Sequence, residues 1–384
     1  MNNKIWKVLS YVLVAALASA ISMALVAGEV VKRDTKLFEL SQLIEERFIE
    51  DVDMAKAEDA AAAAMVDSLG DKWSYYLTAD EYVAHMEQMN NAYVGIGVTI
   101  SGTEDGTAVE VLKVEPNGPA MDAGIQAGDL IVAVEGQAVA GKTTTELRDL
   151  VRGKEGTFVL LTISRAGETF DLSVERRTME TAVATGLMLD DRVGLVTIYN
   201  FDSRCAIESI GAIEDLIKQG AESLIFDVRN NPGGYKDELV DLLDYLLPEG
   251  PLFRSEDYKG NVLVDESDPS CLEMPMAVLV NEGSYSAAEF FAAALSEYEW
   301  ATVVGTQTSG KGYFQVTYRL SDGSAVGLSI GKYTTPNGLS LQDVGIVPDL
   351  VIEVDPETDY RIYAGTMPLD EDPQIQAAVQ ALLP

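Results

Sequence analysis

The sequence predicts an α+β protein of several domains, with a helical lead-in, a small and partly open β-barrel, and a larger α/β layered core. Three observations support this. Apolar residues recur with helical spacing over 36–48 and 55–69, short strands punctuated by glycines follow from about residue 93, and strands alternate with helices from about residue 178. A chain of 384 residues is long enough for two or three domains.

The N-terminal segment is apolar. No charged residue occurs over 8–28, and Lys4 and Lys7 precede this run. About 20 apolar residues cross the hydrocarbon core of a bilayer, and positive charge before them keeps the N-terminus in the cytoplasm. We therefore expect a cytoplasmic segment over 1–7, a transmembrane signal anchor over 8–28 and a helical lead-in over 29–85.

A cleaved signal peptide is the alternative to the anchor, because 25–27 offers small residues for a cleavage position. The apolar run is long for a signal peptide, which favours the anchor. In either case we expect the domains that follow to be exported, at the outer face of the cell membrane or, after cleavage, secreted.

The charge excludes one class of partner. The formal net charge is −35, with 62 acidic residues against 27 basic ones, and no basic stripe offsets it. Neutralising a phosphate backbone needs such a stripe, so the sequence predicts no nucleic-acid binding. Anionic lipid headgroups would also repel this surface, so membrane contact should be through the apolar anchor alone.

Cys205 and Cys271 are the only cysteines. One widely spaced pair is not a disulfide framework, and two free thiols are the favoured interpretation. Whether the pair forms a disulfide in an exported chain stays open.

The β domain is expected over 86–177. Strands are predicted over 94–100, 108–114, 130–134 and 158–165, with one helix over 144–151. At its start lie Gly95, Ile96, Gly97 and Val98, where glycines let successive N–H groups converge on a carboxylate while the next strand pairs with an extended peptide. A tight entry into a strand would explain the glycines equally well.

The core is expected over 178–384, including an acidic C-terminal tail. Its predicted strands lie over 193–199, 224–228, 276–280 and 302–304, and its predicted helices over 204–219, 235–247 and 286–298. Ligands of such cores bind at the carboxyl ends of the strands.

Two strand-to-helix loops of the core carry candidate chemistry. Gly233 and Gly234 follow a buried strand and expose N–H groups near a helix N-terminus, which suits an anion or an oxyanion, although a tight turn is the simpler alternative. Over 281–289 a second buried strand leads into a helix with small residues. A serine in that first turn is a nucleophile position or an N-cap. We assign Ser284 to the cap and Ser286 to the nucleophile.

Lys311 is the candidate base. Gly310 and Gly312 flank it, so the chain can approach closely and bury the amine, which lowers a lysine pKa. The single histidine, His85, precedes the β domain, so a Ser-His-Asp triad would have to reach across domains, and a two-histidine zinc motif is unavailable. We interpret His85 as a solvated helix residue, which leaves lysine as the base, a known variant.

Taken in order, these motifs resemble two known families. The glycine start of the β domain, with 116–120 and 123–131, closely resembles the PDZ domain of exported bacterial proteases. The whole order resembles the carboxyl-terminal processing (tail-specific) serine protease family. Its motifs are Asn-Asn-Pro-Gly-Gly over 230–234, Ser-x-Ser-Ala-x-Glu over 284–289, Gly-Lys-Gly-x-x-Gln over 310–315, and the segments 333–338, 345–349 and 370–374.

That resemblance implies a ClpP/crotonase-like peptidase core in which Ser286 is the nucleophile and Lys311 the base. It also implies that Gln315 orients Lys311, and that Ala287 with Gly233 or Gly234 supplies the oxyanion N–H groups. No cofactor or metal is implied. The implied partners are protein substrates bound by their C-termini and the membrane through the anchor, and self-association stays open.

One departure concerns the pocket. The family pattern Ser-Ala-Ser-Ala-Ser-Glu has tyrosine as its second residue here, so Tyr285 changes the shape of the site. The alternative from another class is a PDZ adaptor with an inactive core, and the joint presence of Ser286, Lys311 and Gln315 argues against it. A trypsin-like exported PDZ protease is excluded, because that family places its protease ahead of the PDZ domain.

Overall fold

The computed structural model describes residues 36–103, 105–189 and 192–382. The chain forms two compact units. The first ends at Thr78 and the second begins at Ala79. The expected cytoplasmic segment over 1–7 and the expected anchor over 8–28 lie outside the described residues. Within the described ranges, no helix combines the length and the apolar character that a membrane crossing requires.

In the first unit, the described residues 36–78 form two helices and a short strand, namely α1 (36–47), α2 (Met54–Asp67) and β1 (Tyr75–Leu77). The Asp53 side chain caps α2 by accepting the N–H of Lys56. Tyr76 Oη donates to Asp59 Oδ1 at 2.6 Å and so ties β1 to α2. Both helices lie where helical spacing predicts them.

The second unit opens with α3 (Ala79–Met89) and continues into the β domain. This domain consists of β2 (Ala92–Gly95), β3 (Val98–Gly102), β4 (Val109–Val114), α4 (Pro119–Asp122), β5 (Leu130–Val134), β6 (Gln137–Ala138), α5 (Thr144–Val151), β7 (Phe158–Arg165), β8 (Glu168–Glu175) and β9 (Arg177–Glu180). One antiparallel sheet runs in the order β3-β4-β5-β7-β8, with β6 beside β5, while β2 pairs with β9. A capping box of Thr143 and Glu146 starts α5.

The strand predicted over 94–100 is two strands. Gly97 has φ +74°, a conformation that favours glycine, and the chain turns there. As a result β2 pairs with β9, and β3 pairs with β4 on one side only and forms the edge of its sheet. Apolar residues alternate without interruption across 94–100, so the sequence pattern predicts a single strand there.

The core is built on a mixed sheet and its helices, which are β10 (Ala184–Met188), β11 (Val193–Ile198), α6 (Cys205–Gln219), β12 (Ser223–Asp227), α7 (Lys236–Leu246), β15 (Met276–Val280), α8 (Ala287–Glu297), β16 (Ala301–Gly305) and β19 (Leu350–Val351). The strand order is β10-β11-β12-β15-β16-β19, and in this sheet only β10 is antiparallel to its neighbour. Strands β12 and β15 lie in the middle of the sheet, and β15 is buried along its whole length.

A second sheet of the core is antiparallel and contains β13 (Gly250–Asp257), β14 (Val262–Ser267), β17 (Tyr313–Arg319) and β18 (Ala325–Thr334). In this sheet β17 pairs with β18, β18 with β13, and β13 with β14. An aromatic cluster connects this sheet to α8, with Phe253 and Phe290 ring centroids 5.4 Å apart.

The C-terminal helices α9 (Pro356–Tyr363) and α10 (Pro373–Ala381) complete the unit. Arg229, whose side chain is buried, donates to Asp227 Oδ2 at 2.6 Å and to Asp372 Oδ2 at 2.8 Å. Asp372 also caps α10. This ion-pair network fastens the acidic tail to the end of β12. Both cysteines are free thiols.

Candidate active site

Ser286 stands between the buried strand β15 and helix α8, which it caps at the N-terminus. Its backbone has φ 58° and ψ −126°, a conformation that is uncommon for a residue other than glycine. Ser286 is buried, with 5% of its surface exposed to solvent. A serine on a sharp strand-to-helix turn is typical of a nucleophile.

Ser284 is not the helix cap that the sequence suggested. Its buried Oγ donates to Val228 O at 2.7 Å and accepts the N–H of Asn281 at 3.0 Å. These bonds tie the serine loop to the end of β12, so Ser284 supports the turn on which Ser286 stands.

The carboxylate of Glu289 connects the serine loop with the lysine loop. It is fully buried and accepts four hydrogen bonds. One oxygen accepts the N–H groups of Ser286 at 2.9 Å and Lys311 at 2.8 Å. The other accepts the N–H of Gly310 at 2.8 Å and the hydroxyl of Thr308 at 2.5 Å. Four donors satisfy the hydrogen-bonding capacity of this buried carboxylate, and through these bonds Glu289 holds the two loops next to each other.

The glycine loop after β12 lies against Ser286. A Cβ added at Gly233 would lie 2.8 Å from both Ser286 Cβ and the backbone nitrogen of Ala287, and Gly233 has φ +84°. A Cβ at Gly234 would overlap the backbone of Phe201. Glycine is therefore required at both positions for the loop to approach this closely.

The two glycines differ as candidate oxyanion donors. The N–H of Gly233 already donates to Asn231 Oδ1 at 2.8 Å. In the ranges that the structure describes, the N–H groups of Gly234 and Ala287 donate to no protein acceptor. Gly234 thus has a donor to offer, whereas Gly233 contributes the space beside the serine.

The side-chain partner of Ser286 is Tyr333. The two hydroxyl oxygens are 2.9 Å apart. Tyr333 lies on β18 and is buried, and burial raises the pKa of Tyr333 to about 12, so its phenol stays protonated. Sequence reasoning noted this residue only as the start of a motif over 333–338, because nothing local marks a tyrosine 47 positions away as a neighbour of the serine.

The side chains of Lys311 and Gln315 point to other groups in this structure. Lys311 Nζ lies 5.8 Å from the centroid of the Tyr285 ring. Gln315 Nε2 donates to Ser329 Oγ at 2.9 Å and to Tyr313 O at 3.2 Å. Among the described residues, no hydrogen bond joins Lys311 to the Ser286 hydroxyl or to the Gln315 amide. The structure therefore brings the backbones of Ser286 and Lys311 together at Glu289.

His85 lies on α3 and is half buried rather than solvated, and burial lowers its pKa.

Asp202 adds a buried acid beside the glycine loop. Its backbone nitrogen would lie 2.6 Å from a Cβ at Gly234. Asp202 is 3% exposed, and its Oδ1 has no hydrogen-bond partner among the described residues. Burial, reinforced by the charge of Glu238, raises the pKa of Asp202 to about 7. Sequence reasoning missed this residue, because its burial is a tertiary property.

Residues Gly95, Ile96, Gly97 and Val98 line a groove of the β domain with a volume of about 410 Å³. Helix α5 forms the opposite wall, where Arg148 and Arg152 are lining residues. The carbonyls of Ile96 and Gly97 accept the N–H groups of Ala120 and Glu115, both at 2.9 Å. The edge strand β3 and this groove together can accommodate an added peptide strand.

Comparison with known proteins agrees with this architecture. A family model described as "Peptidase family S41" matches residues 192–352, and one described as "PDZ domain" matches residues 110–165. The "Carboxy-terminal processing protease CtpA" of Bacillus subtilis is 34% identical over 325 residues, which are 83% of this chain and 69% of that protein.

A "Probable CtpA-like serine protease" of Staphylococcus epidermidis is 34% identical over 301 residues, 77% of this chain and 61% of that protein. The chain thus spans less than two thirds of the length of that relative. A crystal structure of an S41-type protein of Bacteroides fragilis superposes with a TM-score of 0.51 at 17% identity, covering 89% of this chain and 96% of that chain. The predicted α+β class, with a PDZ domain and a peptidase core, is confirmed.

Proposed function

The chain belongs to the carboxy-terminal processing proteases of peptidase family S41, and on this basis we propose that it is a serine endopeptidase that cleaves protein substrates through an acyl-enzyme. Ser286 Oγ attacks the scissile carbonyl, and the neutral amine of Lys311 accepts the serine proton and then donates it to the leaving amine. Water, activated by the same amine, releases the acyl group.

The oxyanion of each tetrahedral intermediate accepts N–H donors from the helix N-terminus and the glycine loop. Ala287, at the first position of α8, is one donor, and Gly234 is the better candidate for the second because the N–H of Gly233 is bound to Asn231. Fixed donors of this kind stabilise charge that develops in the transition state.

The observation that carries the proposal is the shared carboxylate oxygen of Glu289, which accepts the N–H groups of both Ser286 and Lys311. This bond pair keeps the two loops adjacent. We propose that a side-chain rotation takes Lys311 Nζ from the Tyr285 ring to the serine hydroxyl before proton transfer. Gln315 supports the lysine once that rotation has occurred.

The test compares Ser286→Ala and Lys311→Ala with the wild type on casein, a loosely folded substrate. Loss of a nucleophile or base lowers kcat by several orders of magnitude, so each variant should lose at least about a thousandfold with unchanged thermal unfolding.

His85→Ala is the matched control and should retain nearly full activity. Cleavage that survives in Ser286→Ala would overturn the nucleophile assignment. Equal inactivation by His85→Ala and Lys311→Ala would overturn the assignment of the base.

We further propose that the PDZ domain selects substrates by their C-termini. A free carboxylate would accept N–H groups of Ile96, Gly97 and Val98, and the last residues of the substrate would pair with β3. The edge position of β3 and the open groove beside it support this mode of binding.

The location and the domain limits are proposals as well. An apolar run over 8–28 after two lysines supports a single-pass anchor with the catalytic domain outside the cytoplasm, and release after signal cleavage is the alternative. We propose a helical lead-in over 29–85, a PDZ domain over 86–177 and a peptidase core over 178–384.

A further inference from the structure

We propose that Tyr333 is a further catalytic residue, whose phenolic hydroxyl donates a hydrogen bond to Ser286 Oγ and holds the nucleophile for attack. The proposal rests on the function proposed above, since it takes Ser286 as the nucleophile. Its geometric basis is the 2.9 Å separation of the two hydroxyl oxygens in a buried site.

The tyrosine is the better donor of the two hydroxyls. Each group carries one proton, and a phenol is far more acidic than an alkyl alcohol, while the alkyl oxygen is the stronger acceptor. With Tyr333 donating, the serine proton remains free for Lys311. As that proton leaves, negative charge grows on Oγ and the phenol bond strengthens, because a hydrogen bond to a charged acceptor is stronger than one to a neutral acceptor.

The ring of Tyr333 is held rigidly enough for this role. Three aromatic rings from three different elements surround it. Phe290 of α8 meets it edge-on at 4.7 Å between centroids, Phe253 of β13 lies at 5.0 Å, and Phe314 of β17 stacks on it at 5.7 Å and 15°. Such packing leaves the hydroxyl few alternative positions. The entropy lost when Tyr333 is positioned for the reaction is therefore small.

Tyr333 also connects the two catalytic loops. Its backbone N–H donates to the carbonyl of Gly312 at 2.9 Å, next to Lys311, while its hydroxyl reaches Ser286. A residue that contacts both loops fixes the serine hydroxyl relative to the chain that carries the base. Glu289 joins the same loops at the backbone, so Tyr333 extends that connection to the reacting atom.

The first experiment is Tyr333→Phe in the full chain, which keeps the ring and removes the hydroxyl. We expect kcat/KM on casein, and the rate at which a fluorophosphonate probe labels Ser286, to fall by roughly 10- to 100-fold, with KM and thermal unfolding little changed. The matched control is Tyr298→Phe, which removes a hydroxyl bond to Pro251 O at the far end of α8 and should leave both rates unaltered.

Wild-type or faster labelling of Tyr333→Phe would overturn the proposal, since a faster rate would mean that the bond restrains the serine. Failure of the proposed function is recognised separately, because it requires that Ser286→Ala still cleaves. If Tyr333→Phe retains full activity while Ser286→Ala and Lys311→Ala are inactive, the serine–lysine dyad is supported and the role of Tyr333 is contradicted.

A second measurement tests the role of the Tyr333 hydroxyl even if Tyr333→Phe does not fold. A trifluorotyrosine incorporated at position 333 has the same hydroxyl with a lower pKa. If the phenol must donate, activity of that protein should decline in the alkaline range where the wild type does not, because the tyrosine loses its proton there. Identical alkaline profiles for the two proteins would overturn the proposal.

Discussion

At the scale of single residues, Asp202 is a buried acid that destabilises the fold when it is charged. Its pKa of about 7 lies above the ordinary value of 3.8 because burial, together with the nearby Glu238, disfavours the carboxylate. Between about pH 4 and pH 7 the unfolded chain has lost this proton while the folded chain retains it. The contribution of this group to stability therefore falls as pH rises through that window, and stays low above it.

We accordingly expect Asp202→Asn to be more stable than the wild type at pH 8, by up to about 4 kcal/mol at 1.36 kcal/mol per pH unit, and nearly equal to it at pH 4. Urea unfolding of both proteins at the two pH values measures the difference. Glu249→Gln, at an exposed position, is the control. A stability difference that does not change with pH would show that Asp202 does not titrate in this way.

At the scale of elements, the groove between β3 and α5 is the feature whose function can be tested without altering the protein. Gly97 has φ +74°, and a Cβ there would lie 3.0 Å from Met179 Cε, so any substitution strains the loop and confuses the result. Amidation of the substrate C-terminus is cleaner, because it removes only the carboxylate charge.

We expect amidation of a protein substrate to lower kcat/KM by roughly 10- to 100-fold, since a charge-assisted bond to carboxylate contributes about 1.5–3 kcal/mol. The loss should appear mainly in KM, because the groove binds away from the scissile bond. A fall in kcat as well would indicate that docking assembles the active site. Labelling of Ser286 by a fluorophosphonate, without substrate, is the control. Equal cleavage of free and amidated substrate at sub-saturating concentration would contradict capture by the C-terminus.

At the scale of the whole molecule, the strong negative charge limits how the protein can reach a membrane. A net charge of −35 gives no attraction to anionic headgroups, so we propose that any stable association with a membrane is through the apolar segment over 8–28. We expect the full chain, expressed in a bacterium, to stay in the membrane pellet after an alkaline carbonate wash and a high-salt wash. A chain lacking residues 1–28 should appear in the soluble fraction. Release of the full chain by carbonate would favour cleavage of a signal peptide.

The sequence by itself determined the bounds of several elements. Strands predicted over 130–134, 158–165 and 276–280, and the helix over 144–151, have the same bounds in the structure, because periodic apolar residues and a capping box act locally. The antiparallel strands β13, β14 and β18 carry mixed polar and apolar patterns, and their exposure varies along each strand. β13 and β14 form a hairpin, but β13 also pairs with β18, which lies far along the chain. Their place in the sheet depends on that distant pairing, so local pattern did not predict them.

The same division holds in the candidate site. Residue types and glycine spacing mark Ser286, Lys311 and the glycine loop as candidates, because a sharp strand-to-helix turn leaves a local signature. Only the tertiary structure decided that the Ser286 hydroxyl meets Tyr333 on another sheet, and that Glu289 binds the backbones of the loops that carry Ser286 and Lys311. It also decided that Asp202 is buried beside Gly234. Contacts between residues distant in sequence arise when whole layers pack, and no local property of either partner encodes them.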